Sequence, residues 1–411
     1  MVKLNPYASS WRRLLYGSPL HTTPGKVVCA LDVSLAVAFA VPTWVGWLTP
    51  LSNGLVLLVA VAFALLGSWP ALLLLRYLDR REPEPWLYWL VALLFSALVA
   101  PAAAAFFNDH SPFSTLTVGF NEEFWKVYVL LMLVAFVPTV VSGVRDGVVY
   151  GALGGVGFNV IEIAAYVLRV SNPKDGLLAG VSAQLSRLGW WGVGNHIVWS
   201  ALVGAGIGYA VQAPRSKWTF LVPIGAYLLA VLTHTLQDNV LGIVLIIGFT
   251  IGILGLAGVD AGSGPGAHAS KEAIDMASRF NPTAMALEVV AINIVNIPIL
   301  IYALWRSGDW ERGVILKQLA GESAEVVTAE ELAGIKSAKR FRTRRIPGYP
   351  KSVGRAIRNT QNSLAFHKQY LAARGLSSEA EFLAQYYRDE LARLRDLPGL
   401  TLTTIPFKEE A

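Results

Sequence analysis

Glu122, Glu123 and Lys126 stand together in NEEFWKVYVLLMLVAFVP, at the head of an apolar run long enough to cross a bilayer. On a helix, Lys126 falls four residues after Glu122 and three after Glu123, so its ammonium reaches either carboxylate. Pairing with one would neutralise it and leave the other as a base. The plainer alternative is that all three lie at the membrane edge and snorkel into water.

Three later stretches add ionisable groups at membrane depth, where each costs about 2.5–3.5 kcal/mol on insertion scales and is a functional hypothesis by default. In RDGVVYGALGGVGFNVIEIAAY, Gly147, Gly151 and Gly155 recur at four-residue spacing, which lets a neighbouring helix approach closely. Glu162 follows well past Asp146, too deep to snorkel; it is either functional or a protonated acid hydrogen-bonded between helices. In GNHIVWSALVGAGIG, His196, Ser200, Gly204 and Gly208 share one face, a second close-packing stripe headed by a histidine. In LTHTLQDNV, His234 and Asp238 are four apart, so the carboxylate can orient the imidazole and fix its tautomer.

Glu122, Glu123, Glu162, His196, His234 and Asp238 together suit water activation. A carboxylate in a dry pocket or near a like charge is a general base close to neutral pH. Glu and His are equally ligands of zinc, which would make water nucleophilic directly. The residue types leave both mechanisms open.

These residues must be positioned by membrane helices. The 411-residue chain is 54% apolar and 15% charged, with a mean hydropathy of +0.49, which excludes an ordinary soluble domain. The fold class is all-α: a polytopic transmembrane helical bundle of 8–9 spans with a basic, partly helical C-terminal soluble tail. Candidate spans cover residues 27–48, 54–78, 86–107, 120–141, 146–168, 191–211, 220–237, 239–256 and 282–304. Residues 1–26 form a polar N-terminal segment without the pattern of a cleaved signal, 27–305 the transmembrane domain, and 306–411 the tail. The lone Cys29 permits neither an intrachain disulfide nor a cysteine-based metal cluster. No fixed-period repeat is visible, which weighs against an inverted-repeat transporter.

The net charge of +6 sits mostly in the tail, which holds 18 Lys/Arg and 13 Asp/Glu after Leu304. Six basic residues, Lys336, Lys339, Arg340, Arg342, Arg344 and Arg345, mark it as cytoplasmic and as a contact for anionic lipid. Basic residues in 1–26 and in RYLDRREPEPW place the N-terminus on the same side, so an even span count is favoured. No nucleic-acid partner is expected.

The motif order resembles the PrsW family of intramembrane proteases, relatives of the CAAX-prenyl membrane proteases. The resemblance rests on EEFWK, on DGVVYGALGGVGFNVIE ending in Phe-x-x-x-Glu, on NHIVWSALVGAGIGYA, and on HTLQD, with DRREPEPW upstream; it covers about residues 79–239. It implies a cell-membrane, multi-pass hydrolase that cleaves a peptide bond of a membrane-associated protein. Carried over by position, Glu123 is the water-activating base and Glu122, Glu162, His196 and His234 complete the site. Lys126, Asn159 and Asp238 support it. If a metal such as zinc is bound, the resemblance offers Glu123, Glu162, His196 and His234 as ligands. The chain departs from the family where Ile163, not Asn, follows Glu162, and where Asn159 replaces a small apolar residue; Asn159 stands three residues before Glu162, close enough to supply the amide. A proton-coupled transporter and an inactive protease relative that binds membrane partners are the competing readings. Adjacent carboxylates with converging histidines favour one compact hydrolytic site over a spaced proton relay.

Overall fold

The computed structural model describes residues 18–48, 53–168, 173–213, 216–238, 286–337, 345–379 and 381–396. Among these, every regular element is helical. The transmembrane part contains α1 (Thr23–Leu48), α2 (Asn53–Gly67), α3 (Trp69–Leu78), α4 (Trp86–Leu98), α5 (Ala100–His110), α6 (Ser114–Phe136), α7 (Val144–Leu168), α8 (Pro173–Leu188), α9 (Asn195–Gln212) and α10 (Lys217–Leu236). Next comes the bent pair α11 (Ala286–Ile292) and α12 (Asn296–Leu319). The tail adds α13 (Ala329–Ser337), α14 (Lys351–Ala372) and α15 (Phe382–Arg395). The span expected over 239–256 and the basic residues Lys339, Arg340, Arg342 and Arg344 lie outside the described residues.

Among the described residues, four helices are long and apolar enough to cross a membrane, or six when each of two bent pairs counts as one span. The 8–9 read from the sequence include the span over 239–256, which lies outside those residues, and two others fall short for a physical reason. Every 18-residue window of α6 contains Glu122, Glu123 and Lys126, and α9 opens on Asn195 and His196 and is rich in glycine. Of the four helices that carry the polar site, α6 and α9 thus fall short as membrane helices, whereas α7 and α10 qualify.

The centre of the bundle is α7, buried on all sides along most of its length. Its glycines explain how so many neighbours reach it. A Cβ on Gly151 would lie 2.3 Å from the Ser200 carbonyl oxygen, and one on Gly204 would lie 2.0 Å from that of Gly147. The two small-residue stripes read from the sequence therefore face each other, and α7 and α9 meet backbone to backbone. On another side, Gly154 lets the Lys126 carbonyl of α6 approach, and Gly157 admits α4 at Leu93.

The helix α12 runs through the expected boundary at 305/306 and carries the chain from membrane to tail without a break. The tail has its own apolar core, including Leu319, Ile357, Leu364 and Leu391. It docks on the end of the bundle where α7 begins. There Glu311 pairs with Arg81 at 3.1 Å and Arg145 at 2.7 Å, and Asn362 donates to the Arg81 carbonyl at 2.7 Å. The opposite end, where α6 and α9 begin and α7 and α10 finish, holds the polar cluster.

Candidate functional site

Each functional side chain lies within a few turns of that opposite end. Glu122 is eight residues into α6, which at 1.5 Å per residue is about 12 Å from the helix start. Glu162 is six residues before the end of α7, His196 stands in the first turn of α9, and His234 in the last turn of α10. Four helices thus deliver their polar groups to one level near one end of the bundle.

At the centre, Lys126 is fully buried, with its Nζ 2.8 Å from Glu123 Oε1, 3.4 Å from Glu122 Oε2 and 2.6 Å from His196 Nδ1. A lysine ammonium has no acceptor, so it donates to Nδ1, and the His196 proton sits on Nε2. That nitrogen is 2.7 Å from Glu162 Oε2. Glu162 is gripped by Arg187, whose Nε and Nη2 donate to its two oxygens at 2.9 and 2.7 Å. Tyr166 joins the same group, its hydroxyl 2.9 Å from Arg187 Nη2.

His234 is fixed on both edges. Its Nδ1 is 2.9 Å from Glu123 Oε1, while Nε2 lies 3.2 Å from Asp238 Oδ2 and 3.5 Å from Glu122 Oε2. Trp199 stacks on the ring with centroids 4.5 Å apart, and the two histidine rings are 5.1 Å apart. Ser200 contributes a long hydrogen bond to Glu123 Oε2 at 3.4 Å. Both oxygens of Glu123 are therefore engaged, and its side chain is closed off from solvent.

Glu122 differs from its neighbour. Its Oε2 is buried yet receives no hydrogen bond among the described residues, although Lys126 and His234 approach within ion-pair range. One donor atom from each of Glu122, His196 and His234 lies within 4.8 Å of the other two. In a tetrahedral zinc site with bonds of about 2.0–2.1 Å, neighbouring donors are roughly 3.3 Å apart, close to the Glu122–His234 separation.

All of Glu122, Glu123, Lys126, Glu162, His196, His234 and Asp238 thus converge. Asn159 does not join them: it is fully buried, both of its amide atoms lack a hydrogen-bond partner among the described residues, and it makes no bond to Glu162. The resemblance left Glu122 out of the metal-ligand candidates, whereas it belongs to the donor set found here. Arg187 and Tyr166 escaped the sequence reading. Arg187 lies in QLSRLGWW, between expected spans, and its signal was a lone cation with no carboxylate within four residues. A buried amide chain is a further surprise: Asn293 donates to Asn195 at 2.7 Å and Asn296 to Thr233 at 3.2 Å, tying the α11–α12 bend to α9 and α10.

Neither curated proteins nor solved structures yield a match to this chain. A family model does: the one described as PrsW family intramembrane metalloprotease matches residues 56–259, a stretch that contains the whole cluster from Glu122 to Asp238. The chain belongs to the PrsW family of intramembrane proteases.

Proposed function

We propose that this membrane-embedded protease domain hydrolyses a peptide bond of a membrane-protein substrate at a metal centre held by Glu122, His196 and His234. The observation that carries this reading is the buried Glu122 Oε2, without a hydrogen bond among the described residues, facing His234 Nε2 in a group whose three donor atoms, one each from Glu122, His196 and His234, lie within 4.8 Å of one another. When bound, a metal such as zinc would supply Lewis-acid polarisation of the scissile carbonyl and a lowered pKa for water.

The chain's own residues prepare that chemistry. Glu123 accepts a hydrogen bond from His234 Nδ1–H, so the lone pair of Nε2 is directed at Glu122. The resemblance offers Glu123 as the base, but its two engaged oxygens favour this holding role. Glu162, clamped by Arg187, accepts the hydrogen bond of His196 Nε2 and so orients the ring. Asp238 is the most exposed carboxylate of the group, and its Oδ2 is placed to carry a proton between the His234 edge and the departing amine. Trp199 and Phe158 wall the histidines and exclude water.

The spans are best arranged as eight crossings: α1, α2 with α3, α4 with α5, α6, α7, α9, α10 and α12, with α8 not traversing. The tail-side turns then carry Lys26, Arg76, Arg80, Arg81, Arg145 and Lys217, while the turn between α5 and α6 carries no Lys or Arg. By the positive-inside rule the tail is cytoplasmic and the cluster lies nearer the outer face. In a Cys29→Ser background, a membrane-impermeant thiol reagent should label Asp109→Cys but not Glu379→Cys in intact cells; the reverse pattern would invert the topology.

The protease reading is tested without knowing the substrate. Membrane-protein fragments released by cells that express the wild type are compared by mass spectrometry with those from Glu122→Ala and His234→Ala cells. Fragments that appear only with the wild type support it. Identical fragment sets at equal expression would sink it.

A further inference from the structure

A cavity of about 730 Å³ lies between the tail and the loop that follows α3, far from the polar cluster. Six cationic residues line it: Arg76 and Arg80 from the membrane part, and Arg345, Lys351, Arg355 and Arg358 from the tail. No carboxylate is among its lining residues. Arg76 also pairs at 2.9 Å with Asp79, a residue outside the lining. The first turn of α14 also faces the cavity at Lys351 and Gly354, and Pro350 gives that helix no side-chain cap. Its positive end therefore adds to the field.

Six like charges converging on one cavity concentrate a positive field there and draw an anion into it. Arg358 is 9% exposed and feels this directly. Burial first, then Arg355, Arg80 and Arg81, push its pKa below the usual guanidinium value. The location narrows the choice of counter-ion. Arg76 is in the last turn of an apolar helix, and Tyr77 and Trp86, 50% and 74% exposed, flank the loop as interfacial aromatics do. The cavity thus sits at the level of lipid headgroups.

We propose that this cavity is a binding site for a phosphoryl group, carried by the headgroup of an anionic phospholipid or by a soluble phosphorylated molecule, which cements the tail to the membrane domain. Arginine forks match phosphate oxygens bidentately, and a ring of them drawn from two parts of the chain would be cross-linked by one such anion. The site is separate from the protease centre and does not depend on that reading.

The probe is inorganic pyrophosphate, titrated calorimetrically into the detergent-solubilised full chain. Lys351→Glu/Arg355→Glu alters two exposed wall residues, and Lys317→Glu/Arg374→Glu makes the same charge change elsewhere. The wild type should bind, more weakly as salt rises, and the wall variant should lose at least about tenfold in affinity while the control does not. Phenylglyoxal modification of Arg355, mapped by mass spectrometry in the wild type, should be blocked by pyrophosphate, a readout that needs no variant to fold. Repeating the titration in phosphatidylcholine vesicles with and without phosphatidylglycerol separates the sources. Loss of pyrophosphate binding only with phosphatidylglycerol assigns the site to lipid, and undiminished binding assigns it to a soluble phosphate. No binding to the wild type, or equal losses in wall variant and control, overturns the proposal.

Discussion

Lys126 and Glu123 form an ion pair of 2.8 Å in which neither side chain has any solvent exposure. The pair is the floor of the polar cluster, because the same ammonium reaches His196 and the same carboxylate reaches His234.

Removing one partner should therefore damage the fold as well as the chemistry. Lys126→Met leaves Glu123 buried without its cation, a situation that costs about 3–5 kcal/mol. The expected outcome is a large fall in the unfolding temperature, partly restored by adding Glu123→Gln. Unfolding temperatures of the purified variants check it; a Lys126→Met protein as stable as the wild type would show the pair to be dispensable.

The glycine seam makes a sharper contrast. Gly204→Val has no room, since even a Cβ would stand 2.0 Å from the Gly147 carbonyl oxygen. Its α7–α9 contact should fail and the protein should elute as aggregate on size exclusion. Gly225→Ala, on α10 with nothing within 4 Å of its added Cβ, should be neutral or gain up to about 1 kcal/mol from helix propensity. Equal behaviour of the two variants would contradict the packing.

The tail should lose stability in acid. Burial alone would raise the pKa of Glu331, but Arg395, Gln361 and the Thr328 amide outweigh it and bring the value below 4.5. Glu322 is likewise lowered, with Arg388 and Lys368 overcoming burial. A carboxyl whose folded pKa is depressed stabilises above its unfolded pKa, and that contribution disappears as pH falls through the folded value. Limited proteolysis of the full chain should show the tail opening below about pH 4.5, the unfolded glutamate range. In Glu331→Gln/Glu322→Gln the opening should be less dependent on pH, from a lower starting stability.

Much of the site was legible in the sequence because membrane insertion penalises charge. Glu122, Glu162, His196 and His234 stood out against apolar surroundings, and the glycine stripes of α7 and α9 announced a close contact. What stayed hidden depends on three-dimensional approach. Nothing in the order of residues says that Glu123 turns inward to Lys126 while Glu122 keeps a free oxygen, since adjacent helical residues differ by about 100° in direction. Arg187 was missed because α8 is amphipathic and short, without the apolar run that marks a span. Asn159, expected to serve Glu162 from its spacing, is buried without a hydrogen bond to it. The tail was legible as helical, but its docking through Arg81, Arg145 and Glu311 joins residues more than 150 positions apart.

The central claim is that Glu122, His196 and His234 form one metal-binding donor set. Its most direct test is the metal content of the full chain purified without added metal, measured by mass spectrometry for the wild type and for Glu122→Ala and His234→Ala. The account predicts a stoichiometric divalent metal in the wild type and its loss from both variants while their helical content is retained. An active wild type free of metal, or variants that keep the metal in full, would contradict it.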